Sequence, residues 1–242
     1  MSEALLKVDG VSKRFGGFTA LEGISVDIRP GERFGLIGPN GSGKTTLINC
    51  ISGVLPSDGG SIRFDGHDIT RLPAYKRTRR GIARSFQVPR PFRSMTVLEN
   101  LLVAIDFAVI GHGLSTRQAD NEVFAILEKI GLADKARVSS GQLSQVELRK
   151  MELARAMAAR PKLLISDEAM AGLAGSEVDE VLDVLFKLNA EGITVIMIEH
   201  IMQAVLRFSE RVMCLDAGRI ICEGSPQTVM DDKRVQEAYL GA

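Results

Sequence analysis

The chain opens with alternating runs. Ile24, Val26 and Ile28 alternate with Ser25 and Asp27 until Arg29-Pro30-Gly31-Glu32 interrupts them. That is the period-2 pattern of a half-buried strand ended by a turn. Ser61-Ile62-Arg63-Phe64-Asp65-Gly66 repeats it, so the first third predicts short strands and turns. From about Val97 to Ala159 the apolar spacing changes to three and four. Val97, Leu98, Leu101, Leu102 and Ile105 share one helix face, and Val123, Ile126, Leu127 and Ile130 share another, with Gly131 as the predicted C-cap. Leu163-Leu164-Ile165 and Val195-Ile196-Met197-Ile198 are unbroken apolar runs, as parallel strands covered on both faces require. A helix over 176–190 has the length of a crossover between them. Val212-Met213-Cys214-Leu215 and Arg219-Ile220-Ile221-Cys222 flank Asp216-Ala217-Gly218, a hairpin signal. Together these predict an α/β core with a mainly parallel sheet, an antiparallel strand layer at one side and a helical insertion near residues 88–160.

Composition narrows the function classes. With 242 residues, 45% of them apolar, and 30 basic against 30 acidic side chains, the chain reads as globular with an ample core. A zero balance argues against a broad nucleic-acid footprint, and no nucleic-acid partner is expected. Met1-Ser2-Glu3-Ala4-Leu5-Leu6-Lys7 lacks the pattern of a secretory signal. Leu101 to Ile110 is interrupted by Asp106 and falls short of the roughly 20 apolar residues that cross a bilayer. Work at a membrane would need another chain as anchor. Cys50, Cys214 and Cys222 have no zinc-like spacing and read as buried structural thiols.

The chemistry begins at Gly38-Pro39-Asn40-Gly41-Ser42-Gly43-Lys44-Thr45, which satisfies the P-loop spacing in full. Phe34-Gly35-Leu36-Ile37 is a strand before it, and Thr46-Leu47-Ile48-Asn49 begins a helix after it. The glycines let backbone N–H groups turn inward around phosphate oxygens at a helix N-terminus that favours anions. Lys44 is placed for the β- and γ-phosphates and Thr45 for Mg²⁺. Leu163-Leu164-Ile165-Ser166-Asp167-Glu168 ends an apolar strand in two carboxylates. Asp167 can hold Mg²⁺ and Glu168 can polarise the attacking water, provided that this strand lies beside the P-loop strand, as expected here.

With these motifs the whole chain resembles the nucleotide-binding subunits of ABC transporters. The resemblance implies an ABC ATPase fold over residues 1–242, with ATP and Mg²⁺ as cofactors. Phe15, in Lys13-Arg14-Phe15-Gly16, falls where that family stacks an aromatic on adenine; Gly38 through Thr46 would hold the phosphates. Gln87, in Arg84-Ser85-Phe86-Gln87, matches the glutamine that senses Mg²⁺ and the transmembrane partner. His200 matches the switch histidine at the γ-phosphate. Implied partners are a second ATPase subunit, transmembrane permease subunits and, indirectly, an extracytoplasmic solute-binding protein, at the cytoplasmic face of the inner membrane. The finer pattern resembles branched-chain amino acid importers, in Met95-Thr96-Val97-Leu98-Glu99-Asn100, Ile198-Glu199-His200 and Glu237-Ala238-Tyr239-Leu240-Gly241. Urea, amide and lipopolysaccharide systems share much of it.

The chain departs from the family at the signature motif, usually Leu-Ser-Gly-Gly-Gln. Two registers compete: Val138-Ser139-Ser140-Gly141-Gln142 is closer by letters, and Leu143-Ser144-Gln145-Val146-Glu147 by its distance from Ala154-Arg155-Ala156. The second is preferred, because Ser144 and Glu147 make a capping box that starts a helix there; Ser144 would then either face the partner's γ-phosphate or serve only as a cap. Val146 replaces a glycine, Ala169 a proline, Ala174 a polar residue, and Ile201 an aspartate. Groups acting within the chain are intact while those facing a partner's nucleotide are altered, which points to a heterodimer, with a homodimer as the alternative.

Overall fold

The alternating segments pair antiparallel. β1 (Leu6–Phe15) and β2 (Phe18–Ile28) form a hairpin in which Leu6 faces Ile28 and Phe15 faces Phe18. Ile24, Val26 and Ile28 point into the core and Ser25 and Asp27 outward, as the alternation requires. Both strands are longer than the short ones predicted, because bulges between Val8 and Val11 and between Val11 and Lys13 carry the pairing past its irregularities. β3 (Arg33–Ile37) leads into α1 (Lys44–Ser52). β4 (Gly59–Phe64) pairs with β1, and the two-residue β5 (His67–Asp68) completes a sheet of order β2-β1-β4-β5. The computed structural model describes residues 3–86, 89–108 and 115–240.

α2 (Ala74–Arg79) carries Arg77, which is 2% exposed and fastens the phosphate-loop helix from behind. Its guanidinium donates to the carbonyls of Cys50 and Ile51 at the C-terminal end of α1, and to those of Leu72 and Thr70. A cation at a helix C-terminus meets the negative end of the helix dipole. β6 (Ile82–Arg84) follows, and then α3 (Val97–Ala108), α4 (Thr116–Ile130) and α5 (Gln145–Met157). Val97, Leu101 and Ile105 bury one face of α3, and Val123, Leu127 and Ile130 one face of α4, which ends on left-handed Gly131.

β7 (Leu163–Asp167), α6 (Gly175–Ala190) and β8 (Thr194–Ile198) form the expected crossover. α7 (Met202–Phe208) leads to the hairpin of β9 (Arg211–Asp216) and β10 (Arg219–Gly224), turned through Ala217 at φ 44 and Gly218 at φ 78. α8 (Pro226–Asp231) and α9 (Lys233–Leu240) close the described chain; Ser225 caps α8 with Pro226 at its first position. The larger sheet has the order β10-β9-β3-β8-β7-β6. That order corrects one expectation: β7 does not lie beside β3, because β8 pairs with both and sits between them. Apolar runs identify buried strands but leave their order open, and the crossover through α6 places β8 inside β7. The ladder still levels the site, since Asp167 faces Ile198 and Ile198 faces Leu36. Cys50 and Cys214 are buried, whereas Cys222 is only half-buried at the edge of the hairpin.

Candidate functional site

The phosphate loop is shaped by backbone geometry that a side chain would obstruct. Gly38 has φ 145, and a Cβ there would lie 2.1 Å from the Leu215 carbonyl; Gly43 has φ 106, and a Cβ would meet the Ala20 carbonyl at 2.7 Å. α1 begins at Lys44 with no side-chain cap and no acidic residue in its first turn, so its leading N–H groups face outward unneutralised. Lys44 is buried and its Nζ turns back onto its own loop, donating to the carbonyls of Gly38 at 2.7 Å and Pro39 at 2.9 Å. Burial pushes its pKa down, and the Glu168 carboxylate opposes this. An ammonium held by carbonyl oxygens in this way is a cation in wait of stronger anionic partners. Ser42 Oγ is buried without a hydrogen-bond partner among the described residues. That orphan, the glycine cradle and the inward-turned lysine fit a phosphate chain.

The carboxylates arrive from β7. Asp167, its last residue, is 7% exposed and accepts from Arg84 Nη2 at 2.5 Å and Nε at 3.2 Å on one oxygen, Oδ2. Arg84 Nη1 also holds Asn49 Oδ1 at 2.6 Å, so one guanidinium ties β6, β7 and α1 together. Among the described residues no three His, Cys, Asp or Glu side chains converge as a metal cage. One carboxylate and the Thr45 hydroxyl suit Mg²⁺, which keeps waters and takes the rest of its shell from phosphates.

Glu168 sits one residue beyond, in left-handed backbone at φ 48, an uncommon conformation for a side-chain-bearing residue and one that persists when its surroundings hold it. Three consecutive residues at the end of β8 provide that hold. The Ile198 carbonyl accepts the Glu168 N–H at 2.9 Å. Glu199 Oε1 accepts the Met170 N–H at 3.0 Å. His200 Nε2 lies 3.0 Å from Glu168 Oε1. Glu199 is 2% exposed; burial pushes its carboxyl up to about 7, with the Glu168 charge adding to the rise and the Met170 amide and Arg149 opposing it. Arg149, from α5, donates to the Ala171 carbonyl and holds the same loop from the other side.

Lys44, Thr45, Asp167, Glu168 and His200 therefore lie at or just beyond the carboxyl ends of the interior strands β3, β7 and β8 of the larger sheet. Phe15 stands apart at the end of β1, 47% exposed, with Lys13 Nζ 5.6 Å from its ring centre. An exposed ring at this position is available for stacking. Gln87 lies outside the described residues. Ser144 is exposed and caps α5, its hydroxyl accepting the Glu147 N–H at 3.3 Å while Glu147 accepts the Ser144 N–H at 2.9 Å. In the competing register the serine that aligns with the motif's is Ser139, half-buried with its hydroxyl donated to the Arg93 carbonyl at 2.9 Å, and the next residue, Ser140, is buried with its hydroxyl donated to the Phe92 carbonyl at 3.0 Å. Ser139 precedes only a 3-10 turn over Ser140–Gln142, whereas Ser144 is exposed and starts an α-helix. Val146 packs partly buried against the core. Arg84 and Glu199 carry roles that sequence reasoning did not assign. Nothing in Arg84-Ser85-Phe86 marks the arginine, whereas a carboxylate directly after an apolar run was a usable signal for Glu199.

A family profile described as ABC transporter matches residues 21–171, and another described as branched-chain amino acid ATP-binding cassette transporter matches residues 219–242. The chain is 37% identical to the high-affinity branched-chain amino acid transport ATP-binding protein BraF of Pseudomonas aeruginosa, over 100% of this chain and 99% of that protein. It is 36% identical to the corresponding LivG protein of Escherichia coli K12, over the same shares. Among solved structures, an ATP-binding cassette of an ABC transporter in its ADP conformation superposes with a TM-score of 0.89 at 34% identity, each chain covered 100%. A dimeric bacterial ABC transporter cassette matches with a TM-score of 0.82 at 26% identity, over 91% of this chain and 98% of that one.

Proposed function

This chain belongs to the ATP-binding subunits of ABC transporters, and on that premise we propose that it hydrolyses MgATP to energise uptake of branched-chain amino acids. The observation that supports hydrolysis most strongly is Glu168 held at φ 48 with its carboxylate 3.0 Å from His200, beside the loop that carries Lys44. Glu168 is the general base that orients and deprotonates the attacking water, and His200 holds that carboxylate in place and reaches toward the γ-phosphate. Lys44 exchanges the Gly38 and Pro39 carbonyls for β- and γ-phosphate oxygens. Ser42 and the backbone amides of Gly38 to Thr46, including those of Asn40 and Gly41, cradle the phosphates. Thr45 and Asp167 would hold Mg²⁺, with Gln87 as a further ligand on the strength of its motif; when bound, the ion would supply positive charge against that developing on the phosphate oxygens. Phe15 stacks on the adenine.

The second nucleotide half-site needs a partner. We assign Ser144, at the start of α5, to the γ-phosphate held by a second ATPase subunit. The altered Val146 and Ala174 favour a different chain in that role over a second copy. No described helix is long and apolar enough to cross a membrane, so the permease subunits supply the membrane anchor at the cytoplasmic face of the inner membrane. A groove of about 670 Å³, lined by Val54, Phe86, Arg90 and Glu152 and reaching Asp167, suits a permease segment. A solute-binding protein would deliver substrate to that permease from the far side. The branched-chain assignment rests on the likeness to BraF and LivG and on the match at 219–242. The test is co-purification from membranes followed by ATP-driven uptake in proteoliposomes. Uptake of leucine, isoleucine and valine is expected. Uptake of urea or amides alone, export of lipopolysaccharide, or gating without turnover would contradict the assignment.

A further inference from the structure

The closing stretch Glu237-Ala238-Tyr239-Leu240 has no role in the chemistry above, yet it touches the phosphate loop. Tyr239 Oη, on α9, accepts the N–H of Gly38 at 2.8 Å. Gly38 lies one residue past the β3–β9 ladder, which ends with Ile37 facing Cys214, so no strand offers its amide a partner. Its other face is engaged as well: the Gly38 carbonyl accepts Lys44 Nζ at 2.7 Å. The two peptides that flank Gly38 are thus tied one to the C-terminal helix, through the N–H, and the other to the phosphate-binding lysine, through the carbonyl. The helix is itself fixed, because Val229 on α8 and Val235 on α9 are buried in the core at 0% and 2% exposure. Burial pushes the Tyr239 hydroxyl up to about 12, so it remains a neutral phenol throughout the physiological range.

We propose that Tyr239 is a positioning residue for ATP binding, its hydroxyl holding the first peptide of the phosphate loop so that the C-terminal segment becomes part of the nucleotide site. The inference rests on the reading of Gly38–Thr46 as an ATP site. A buried N–H left without an acceptor is destabilised, and a loop whose first peptide is free to rotate must be reordered by the ligand at the expense of affinity. Tyr239 lies on α9 against the first residue of the loop, whereas Asp167, Glu168 and His200 stand at the ends of β7 and β8, so its effect is placed on binding and not on the chemical step.

Tyr239→Phe removes one oxygen and keeps the ring. The expected result is an apparent MgATP Kd and KM raised by about tenfold, equivalent to roughly 1.4 kcal/mol, with kcat within about twofold of the parent at saturating ATP. Hydrogen exchange should accelerate in the 34–44 peptide and stay unchanged in β8 and α6. Tyr239→Leu should behave like Tyr239→Phe, and Glu237→Ala, on the same helix, like the parent. A merely structural role would lower the unfolding midpoint without moving KM relative to kcat. If the parent binds MgATP and Tyr239→Phe binds it equally, with unchanged exchange at 34–44, the inference is overturned and the ATP site stands. If the parent binds no MgATP, the ATP site falls and Tyr239 with it.

Discussion

Replacing Glu199 by glutamine should stabilise the protein, and only above a definable pH. Glu199 is 2% exposed at the end of β8; its carboxyl faces the Glu168 carboxylate across the Met170 turn and Arg149 from α5, and its pKa is pushed up from 4.5 to about 7. A carboxyl with a raised folded-state pKa binds its proton more tightly in the native state than in the unfolded chain. Its contribution to stability is therefore complete below about 4.5, declines as the pH rises toward 7, and is constant above that. At 1.36 kcal/mol per pKa unit, the rise from 4.5 to about 7 corresponds to roughly 3 kcal/mol. Burial this complete leaves little solvent to screen the charge. Glu199→Gln removes the titration and retains an oxygen to accept the Met170 N–H. Urea unfolding of both proteins between pH 4.5 and 8.5 reads the difference. The two should coincide at the acid end and separate by up to roughly 3 kcal/mol in favour of glutamine above pH 7. A difference that is flat with pH, or one that favours the parent at pH 8, would refute the reasoning.

Three further outcomes follow from the same geometry. Arg77→Ala strips the C-terminal end of α1 of its buried cation and leaves four carbonyls without their donor, so chemical denaturation should show a loss of roughly 3 kcal/mol or more. Phe15→Ala should weaken nucleotide binding by about 1–3 kcal/mol, the range of base stacking on an aromatic, and leave the saturated rate nearly unchanged in steady-state kinetics. Ser144→Ala should lower single-turnover hydrolysis at the partner's nucleotide by about 10²–10³, and Val146→Gly should raise it by letting the backbone approach. Loss of that activity in Gly141→Ala, with no effect of Val146→Gly, would shift the signature to the earlier register.

Local periodicity was legible and long-range order was not. The face of α3 built on Val97, Leu101 and Ile105 and the Gly131 stop of α4 follow from spacing alone, because those features are decided within a few residues. The position of β8 between β3 and β7 is decided by how the crossover through α6 packs, and two similar apolar runs carry no record of it. The phosphate loop was readable because its chemistry requires glycines and a lysine at fixed spacing. Arg84 was not, since it acts through partners at positions 49 and 167 that are distant along the chain. The registers of Ser144 and Ser139 could be ranked from the sequence by helix-start chemistry; the structure adds that Ser139 precedes only a 3-10 turn and has its hydroxyl donated to the Arg93 carbonyl. The hydroxyl of Tyr239 on Gly38 joins residues 201 positions apart, and no local pattern announces such a contact.

Glu168→Gln tests the catalytic assignment most directly, because it removes the charge to which water activation is assigned and preserves the side chain's size and its place beside His200. The measurement is single-turnover ATP hydrolysis by the complex assembled with its membrane partners, alongside MgATP binding by the same preparation. Binding within about twofold of the parent together with hydrolysis reduced by about 10² or more is the expected result. Hydrolysis at the parent's rate with binding intact would contradict it, and would remove Glu168 from the chemistry.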